Sequence, residues 1–314
     1  MLFFYRILIN LIVLLSPLII FLRLLIKKED PIRFKEKFCF FSKKKVKKKL
    51  IWFHSASVGE ILSILPLVEK LEKNRNINQI LITSNTLSSS KILLNLKLKK
   101  TIHQFFPIDS NYHTKKFLNY WNPSLAIFVD SEVWPNMITA IKKRSIPLML
   151  LNARITERTF KKWNLFNASA KNLFEKFDIC LTSNLKSKKY LKILGAKKIK
   201  FIGNLKFSQT ERNEDYLDHN LKKFFSTKKI WCASSTHNTE EKICGLAHKK
   251  LKRKYKNLLT IIIPRHIERT KYIVDEMKKL KLKVHTDNSK NKINKDTDIY
   301  LVNSYGRTKS FFRI

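Results

Sequence analysis

Glycine is scarce: five in 314 residues. Neither G-x-x-x-x-G-K-[ST] nor G-x-G-x-x-G occurs, which excludes a P-loop and a dinucleotide fingerprint. H-E-x-x-H and G-x-S-x-G are absent as well, so zincin and serine-hydrolase readings fall away. Each glycine present is expected where the backbone needs it. Cysteine is equally thin. Cys39, Cys180, Cys232 and Cys244 show no C-x-x-C and no Cys/His ligand spacing. A disulfide scaffold and a structural metal site are not expected, and a reducing compartment fits. Acidic residues are outnumbered, 24 against 64 Lys+Arg, for a formal charge of +40. Part of that excess is lysine spread along surface-like stretches. The remainder asks for an anionic neighbour, either nucleic acid or an anionic membrane.

What the chain has is apolar mass, 44% hydrophobic with 22 Phe, enough for buried cores. Residues 3–26, "FFYRILINLIVLLSPLIIFLRLLI", are almost wholly apolar, with Arg6, Asn10 and Arg23 as the polar exceptions. About 20 apolar residues span a bilayer core. A secretory signal peptide is the rival reading, but no A-x-A-like cleavage site follows. Lys27, Lys28 and "KKKVKKK" at 43–49 follow instead, flanks that keep the next segment cytoplasmic and attract anionic headgroups. Residues 1–28 are therefore expected to be a single anchor, or an in-plane helix, with the body on the cytoplasmic face of the membrane.

Beyond the anchor, short apolar runs alternate with amphipathic stretches. "LIWFHSA", "QILITSN", "LAIFVD", "PLMLLNAR", "DICLTSN" and "KIKFIGN" read as strands. "VGEILSILPLVEKLEK", "SSSKILLNLKL", "WPNMITAIKKR" and one long helix, "RTFKKWNLFNASAKNLFEKF", lie between them. Around 208–227 the pattern lapses into polar residues. It restarts with strands "IWCASS", "LLTIIIP", "KVHTD" and "DIYLVNS" and two helices. Such βα repetition implies parallel, doubly wound sheets in two domains, 29–210 and 211–314, the second thin for a complete nucleotide-binding domain.

In open α/β sheets, ligands bind at the carboxyl ends of strands. Six polar clusters fall there: "HSASVGE", "DSEVWPN", "NARITER", "GNLKF", "SSTHNTEE" and "PRHIERT". Each has a plain structural reading. Asp130 or Ser131 could be a helix N-cap, Pro135 a first-turn residue, and Ser57 to Glu60 a capping box. Together they read as a cleft between two domains. Carboxylates (Glu60, Glu132) sit in the first half, while Lys206, His237, Arg265 and His266 lie nearer or within the second. An acceptor hydroxyl needs a carboxylate base, and a phosphate leaving group needs cations and helix N-termini. Their positions at strand ends assign Lys206, Ser234, Ser235 and Thr236 to phosphate contact. The helix dipole is expected to hold a first-turn Glu60 ionised, and Gly59 to leave room for a ligand against the backbone.

In this order and spacing the six motifs resemble the 3-deoxy-D-manno-octulosonic acid (Kdo) transferases of lipopolysaccharide synthesis. "RFKEKF" after the anchor resembles their basic membrane-proximal segment. The resemblance implies the GT-B arrangement, two Rossmann-like domains facing a cleft. It implies transfer of Kdo from CMP-Kdo to a lipid A precursor at the inner membrane, with inversion, no metal and no cofactor. It makes Glu60 the general base. Ser57, Gly59 and Glu132 shape the acceptor and Kdo pocket, and Arg265, with His237 and His266, lies on the CMP side. The family's second domain normally runs on beyond this point. The alternatives are therefore a truncated, inactive remnant of that enzyme and, outside the family, a basic nucleic-acid-binding protein. Diffuse lysines and the lack of any DNA or RNA motif speak against the last.

Overall fold

The computed structural model describes residues 2–46, 49–94, 96, 98–208, 217–287, 292–304, 308–312 and 314. Parts of three sequence features lie outside the described residues: 47–48 of the basic run, 95 and 97 of the expected helix "SSSKILLNLKL", and 209–216 of the polar stretch. The chain divides into two units, Met1–Thr210 and Glu211–Ile314.

The first unit carries seven parallel strands: β1 (Leu50–His54), β2 (Gln79–Ser84), β3 (Thr101–Phe105), β4 (Leu125–Val129), β5 (Leu148–Ala153), β6 (Ile179–Thr182) and β7 (Ile199–Phe201). Their order is β3-β2-β1-β4-β5-β6-β7, so the chain reverses direction of travel between β1 and β4. That reversal opens a crevice at the carboxyl ends of those two strands. Side chains alternate across the sheet. Leu50 and Trp52 enter one core with Phe128, Phe117 and Trp121. Ile51 and Phe53 enter the other with Ile82, Val129 and the inner face of a helix, Ile61, Ile64, Leu65 and Val68.

The helices are α1 (Leu2–Leu25), α2 (Val58–Glu72), α3 (Leu87–Leu94), α4 (Asn111–Trp121), α5 (Pro135–Lys143), α6 (Glu157–Asn164), α7 (Asn167–Phe174) and α8 (Leu185–Ile193). Three differences from the sequence reading have physical causes. The long helix over 158–177 is two, α6 and α7, broken at Leu165 and Phe166. Trp163 packs edge-on against Phe174 with ring centroids 5.4 Å apart. Eleven residues of unbroken helix would put them roughly 16 Å apart. Next, β3 and α4 were missed because polar residues hide their period. The unpaired edge of β3 is covered by side chains: Arg33 donates to the His103 carbonyl (2.9 Å), and the Phe105 N–H donates to Glu36 (2.8 Å). Such covering keeps an edge strand from recruiting another chain. Lastly, neither Asp130 nor Ser131 caps α5. Asp109 does, accepting from the N–H groups of Asn136 (3.0 Å) and Met137 (2.7 Å).

The second unit has four parallel strands, β8 (Lys229–Thr236), β9 (Leu258–Pro264), β10 (Val284–Thr286) and β11 (Ile299–Leu301), in the order β10-β11-β9-β8. Its helices are α9 (His219–Ser226), α10 (Glu240–Lys254), α11 (Thr270–Lys279) and a short α12 (Thr308–Phe311). Leu259, Ile261 and Ile263 of β9 pack with Phe225 and Tyr300 on one face. Ile262 packs with Ile273 and Met277 on the other.

Candidate active site

At the carboxyl end of β1 the chain turns through Ser55 and Ala56 into α2. Ser57 is the N-cap, its extended backbone (φ −123°, ψ 160°) leaving Oγ free to accept the Glu60 N–H at 3.4 Å. The Glu60 carboxylate reaches back, accepting from the Ser57 hydroxyl (2.9 Å) and from the Ala56 N–H (2.8 Å). The capping box is thus real, with the return bond one residue upstream of its usual donor.

The cap does not keep Glu60 acidic. Burial pushes its pKa up from 4.5 to about 7, and the charges of Glu132 and Asp130 add to the rise. The bonds from Ser57 and Ala56 oppose it. The expectation of a carboxylate held ionised by the helix terminus is therefore corrected, because lost hydration and two anionic neighbours outweigh the dipole.

Those neighbours come from the end of β4. Asp130 sits in the left-handed region (φ 63°). Burial raises its pKa and Glu132 adds to the rise, while Lys206 and Arg154 oppose it. Glu132 behaves oppositely. Burial pushes it up, yet His54 and the Trp134 indole draw it down further, leaving it below the ordinary value. Trp134 Nε1 donates to Glu132 Oε2 at 2.8 Å. His54, fully buried at the last position of β1, has Nε2 3.2 Å from the same oxygen and Nδ1 3.0 Å from Thr83 Oγ1. A carboxylate only accepts, so Nε2 carries the shared hydrogen and the imidazole orientation is fixed.

Lys206 completes this cluster. A Cβ placed on Gly59 would lie 3.9 Å from its ammonium, so the lysine crosses the start of α2 over the glycine. Its loop turns at Gly203 (φ 82°) and is tied down by Leu205 N–H donating to buried Asn152 Oδ1 at 3.0 Å. Grouped by sequence with the second half, Lys206 instead belongs to the first, close enough to Asp130 for its charge to oppose that carboxyl's rise. The expected Ser57, Gly59, Glu60, Glu132 and Lys206 are thus brought together.

The second unit gathers the others at the ends of β8 and β9. Ser235 takes a left-handed backbone (φ 60°), and the Arg265 N–H donates to the Thr236 carbonyl at 2.9 Å. His237, Arg265 and His266 are exposed, with the two imidazoles 6.3 Å apart. Thr236 is buried, and its hydroxyl donates to Glu241 at 3.0 Å. It is thereby committed to structure rather than open to a phosphate, whereas Ser235 is exposed and Ser234 half-buried. Glu241, fully buried, receives a two-pronged bond from Arg269 (2.9 and 3.1 Å), whose other contact is Asn238 at 2.9 Å. This pair fixes the turn that presents His237.

Sequence reasoning missed His54, Asp130, Glu241 and Arg269 as members of these sites. All four lie inside the quoted motifs. Each, however, has a partner 28 or more residues away, and no spacing rule reports that. Among the described residues, no group of three His, Cys, Asp or Glu side chains is placed to hold a metal ion.

The family model of 3-deoxy-D-manno-octulosonic-acid transferase (Kdo transferase) matches residues 32–209. The 3-deoxy-D-manno-octulosonic acid transferase of Rickettsia bellii is 36% identical over 299 residues, covering 94% of this chain and 71% of that protein. Its counterpart in Rickettsia felis is 33% identical over 269 residues, covering 85% of this chain but 58% of that protein. The UDP-GlcNAc 2-epimerase of Neisseria meningitidis bound to UDP-GlcNAc superposes with a TM-score of 0.53 at 15% identity, over 85% of this chain and 74% of that one. That likeness shows a GT-B-like α/β fold and nothing about chemistry. A family match over more than half of the chain, carrying the site residues 54–60, 130–134 and 206, shows that this chain belongs to the 3-deoxy-D-manno-octulosonic acid transferase family.

Proposed function

We propose that the chain carries out Kdo transfer from CMP-Kdo to a lipid A precursor on the cytoplasmic face of the inner membrane, inverting the anomeric carbon without a metal, with Glu60 as general base. The observation that carries the assignment of Glu60 is its pKa of about 7 at a strand end in a family member. A base is most effective when its pKa lies near the working pH.

In this reading Glu60 takes the proton of the acceptor hydroxyl as its oxygen attacks the anomeric carbon of Kdo. The bond from that carbon to the CMP phosphate breaks, and CMP leaves with the electron pair. Cations stabilise the charge gathering on the phosphate, and exposed Arg265, His237 and His266 with Ser234 and Ser235 are the groups assigned to it. Lys206, over Gly59, is the cation assigned in this reading to the carboxylate of Kdo or an acceptor phosphate. Glu132, kept ionised by His54 and Trp134, holds the pKa of Glu60 up.

The test incubates membranes containing the protein with CMP-Kdo and tetra-acylated lipid A precursor and follows the acceptor by mass spectrometry. A gain of Kdo is expected. No transfer, either by this chain or by one extended to the length of its relatives, overturns the proposal.

A further inference from the structure

The helix α1 is long and apolar enough to cross a membrane by length and composition. Its contacts describe something else. Tyr5, near its start, donates its hydroxyl to Asp109 at 2.7 Å, and Arg6 Nε donates to Asn136 Oδ1 at 3.1 Å. Near its end, Arg23 pairs with buried Glu29 at 2.6 Å, which also binds Lys37 at 2.6 Å. The segment after the helix is fastened in turn. Glu36 accepts from the Phe105 N–H, the Ile108 N–H donates to the Lys37 carbonyl, and Cys39 Sγ donates to the His113 carbonyl. Both ends of α1 are therefore tied to one short stretch of the first unit, residues 103–113, and to the helix start that Asp109 caps.

Between these ties a single stripe faces the body: Ile9, Ser16 and Ile20 are buried. Pro17 has no N–H for the Val13 carbonyl, and the Ser16 hydroxyl donates to that carbonyl instead, at 2.6 Å. The polar groups of the helix other than Asn10 thus lie on the stripe. Phe3, Phe4, Ile7, Leu8, Leu11, Leu14, Leu15, Leu18, Phe21, Leu22 and Leu25, by contrast, are exposed. Tyr5 and Arg23 are 18 residues apart, about 27 Å along a helix, close to the ~30 Å thickness of a hydrocarbon core. A helix spanning the bilayer would carry Tyr5 and Arg6 to the far side, away from Asp109 and Asn136. The two arrangements exclude each other.

We infer that α1 lies in the plane of the membrane, on the same side as the rest of its unit. Its stripe is docked on the first unit, and its remaining faces are sunk among acyl chains of an anionic leaflet. The inference rests on the membrane-bound transferase reading and adds the geometry of attachment. Charge and aromatic placement match that lipid partner. Lys27 and Lys28, directly after the helix, and Lys35, in the segment that follows it, are exposed. Exposed Phe40 and Tyr112 share Lys116, whose ammonium lies 5.1 and 5.9 Å from their ring centroids. Tyr112 is three residues from Asp109, where Tyr5 docks. Aromatic rings with lysines are what an interfacial layer holds.

The experiment places an epitope tag at the N-terminus of the chain and expresses it in a Gram-negative bacterium. Trypsin is then added to spheroplasts and, separately, to inside-out inner-membrane vesicles. In-plane attachment predicts that tag and body are both protected in spheroplasts and both cut in inside-out vesicles. A second measurement uses Leu2→Cys with Ser169→Cys, two positions lining one cavity of about 410 Å³ between α1, α5 and α7. A short bismaleimide should join them in intact membranes. A tag cut in spheroplasts while the body stays protected, with no cross-link, overturns the in-plane arrangement but leaves membrane attachment standing. A protein that does not sediment or float with membranes overturns both.

Discussion

The two units each end two neighbouring strands in a polar cluster, and the clusters are opposites. At β1 and β4 three carboxylates crowd a half-buried crevice, and the pKa of Glu60 rises to about 7. At the ends of β8 and β9 buried Glu241 is neutralised by Arg269, and what faces solvent is His237, Arg265 and His266. Both clusters follow from one rule of parallel sheets, yet one gathers carboxylates and the other exposes cationic and imidazole side chains. In the proposed function the first moves a proton and the second meets an anion. The difference lies in how each unit treats its carboxylates: three crowded together in the first, of which Glu132 is held by His54 and Trp134, and one buried against an arginine in the second.

That contrast can be attacked directly. The largest effect is expected from Glu60→Gln, a loss of roughly 10²–10⁴-fold in transfer rate, the scale of a lost general base. Gln keeps an acceptor for the Ala56 N–H, and its amide NH2 can donate to the Ser57 hydroxyl where the carboxylate accepted from it. The sign of the stability change is informative. The folded pKa of Glu60 lies above 4.5, so its ionisation weakens the fold as pH rises through about 7. Glu60→Gln should therefore melt at a higher temperature than the parent above neutral pH. A dead but destabilised variant would make Glu60 structural. Arg269→Ala leaves Glu241 buried and unpaired. It should cost about 3–5 kcal/mol in denaturant unfolding of the second unit, with the Glu60 cluster unaffected.

Smaller changes sharpen the comparison. Glu132→Gln removes a charge that raises the pKa of Glu60, so the pH at which activity appears should move lower, read from a pH–rate profile. A move upward would show that His54 and Glu132 act otherwise. Gly59→Ala is expected to have the smallest effect on the fold. Its Cβ meets Lys206 at an ordinary 3.9 Å, and helix propensity favours Ala by up to about 1 kcal/mol. Calorimetry should show a slight gain in stability. A loss of acceptor binding alongside it would mean that a ligand occupies the space between Gly59 and Lys206.

Much of this was legible in the chain, and the reasons are physical. Continuous apolar runs such as "LIWFH" and "LLTIIIP" announce strands buried on both faces, and the strand-end motifs mark where a site must lie. β3 was not legible, because an edge strand covered by Arg33 and Glu36 has no need of apolar residues at every second position. The break between α6 and α7 was hidden as well, since the contact that requires it joins Trp163 to Phe174. Ser57–Glu60 read correctly as a cap and incorrectly as a source of acidity. Hydrogen bonds to neighbours are local, whereas the burial and the charges of Asp130 and Glu132 arrive from a strand 65 or more residues later. The role of His54 was invisible for the same reason, its partner being Glu132.

The central claim is that Glu60 is the proton acceptor of the transfer. The direct measurement is the pH dependence of kcat/KM for CMP-Kdo with the lipid acceptor, in the parent and in Glu60→Gln. The account predicts a parent rate that rises with pH to a plateau, with its midpoint near 7, and a residual rate in Glu60→Gln that lacks this limb. The same limb persisting at near-parental rate in Glu60→Gln would contradict it.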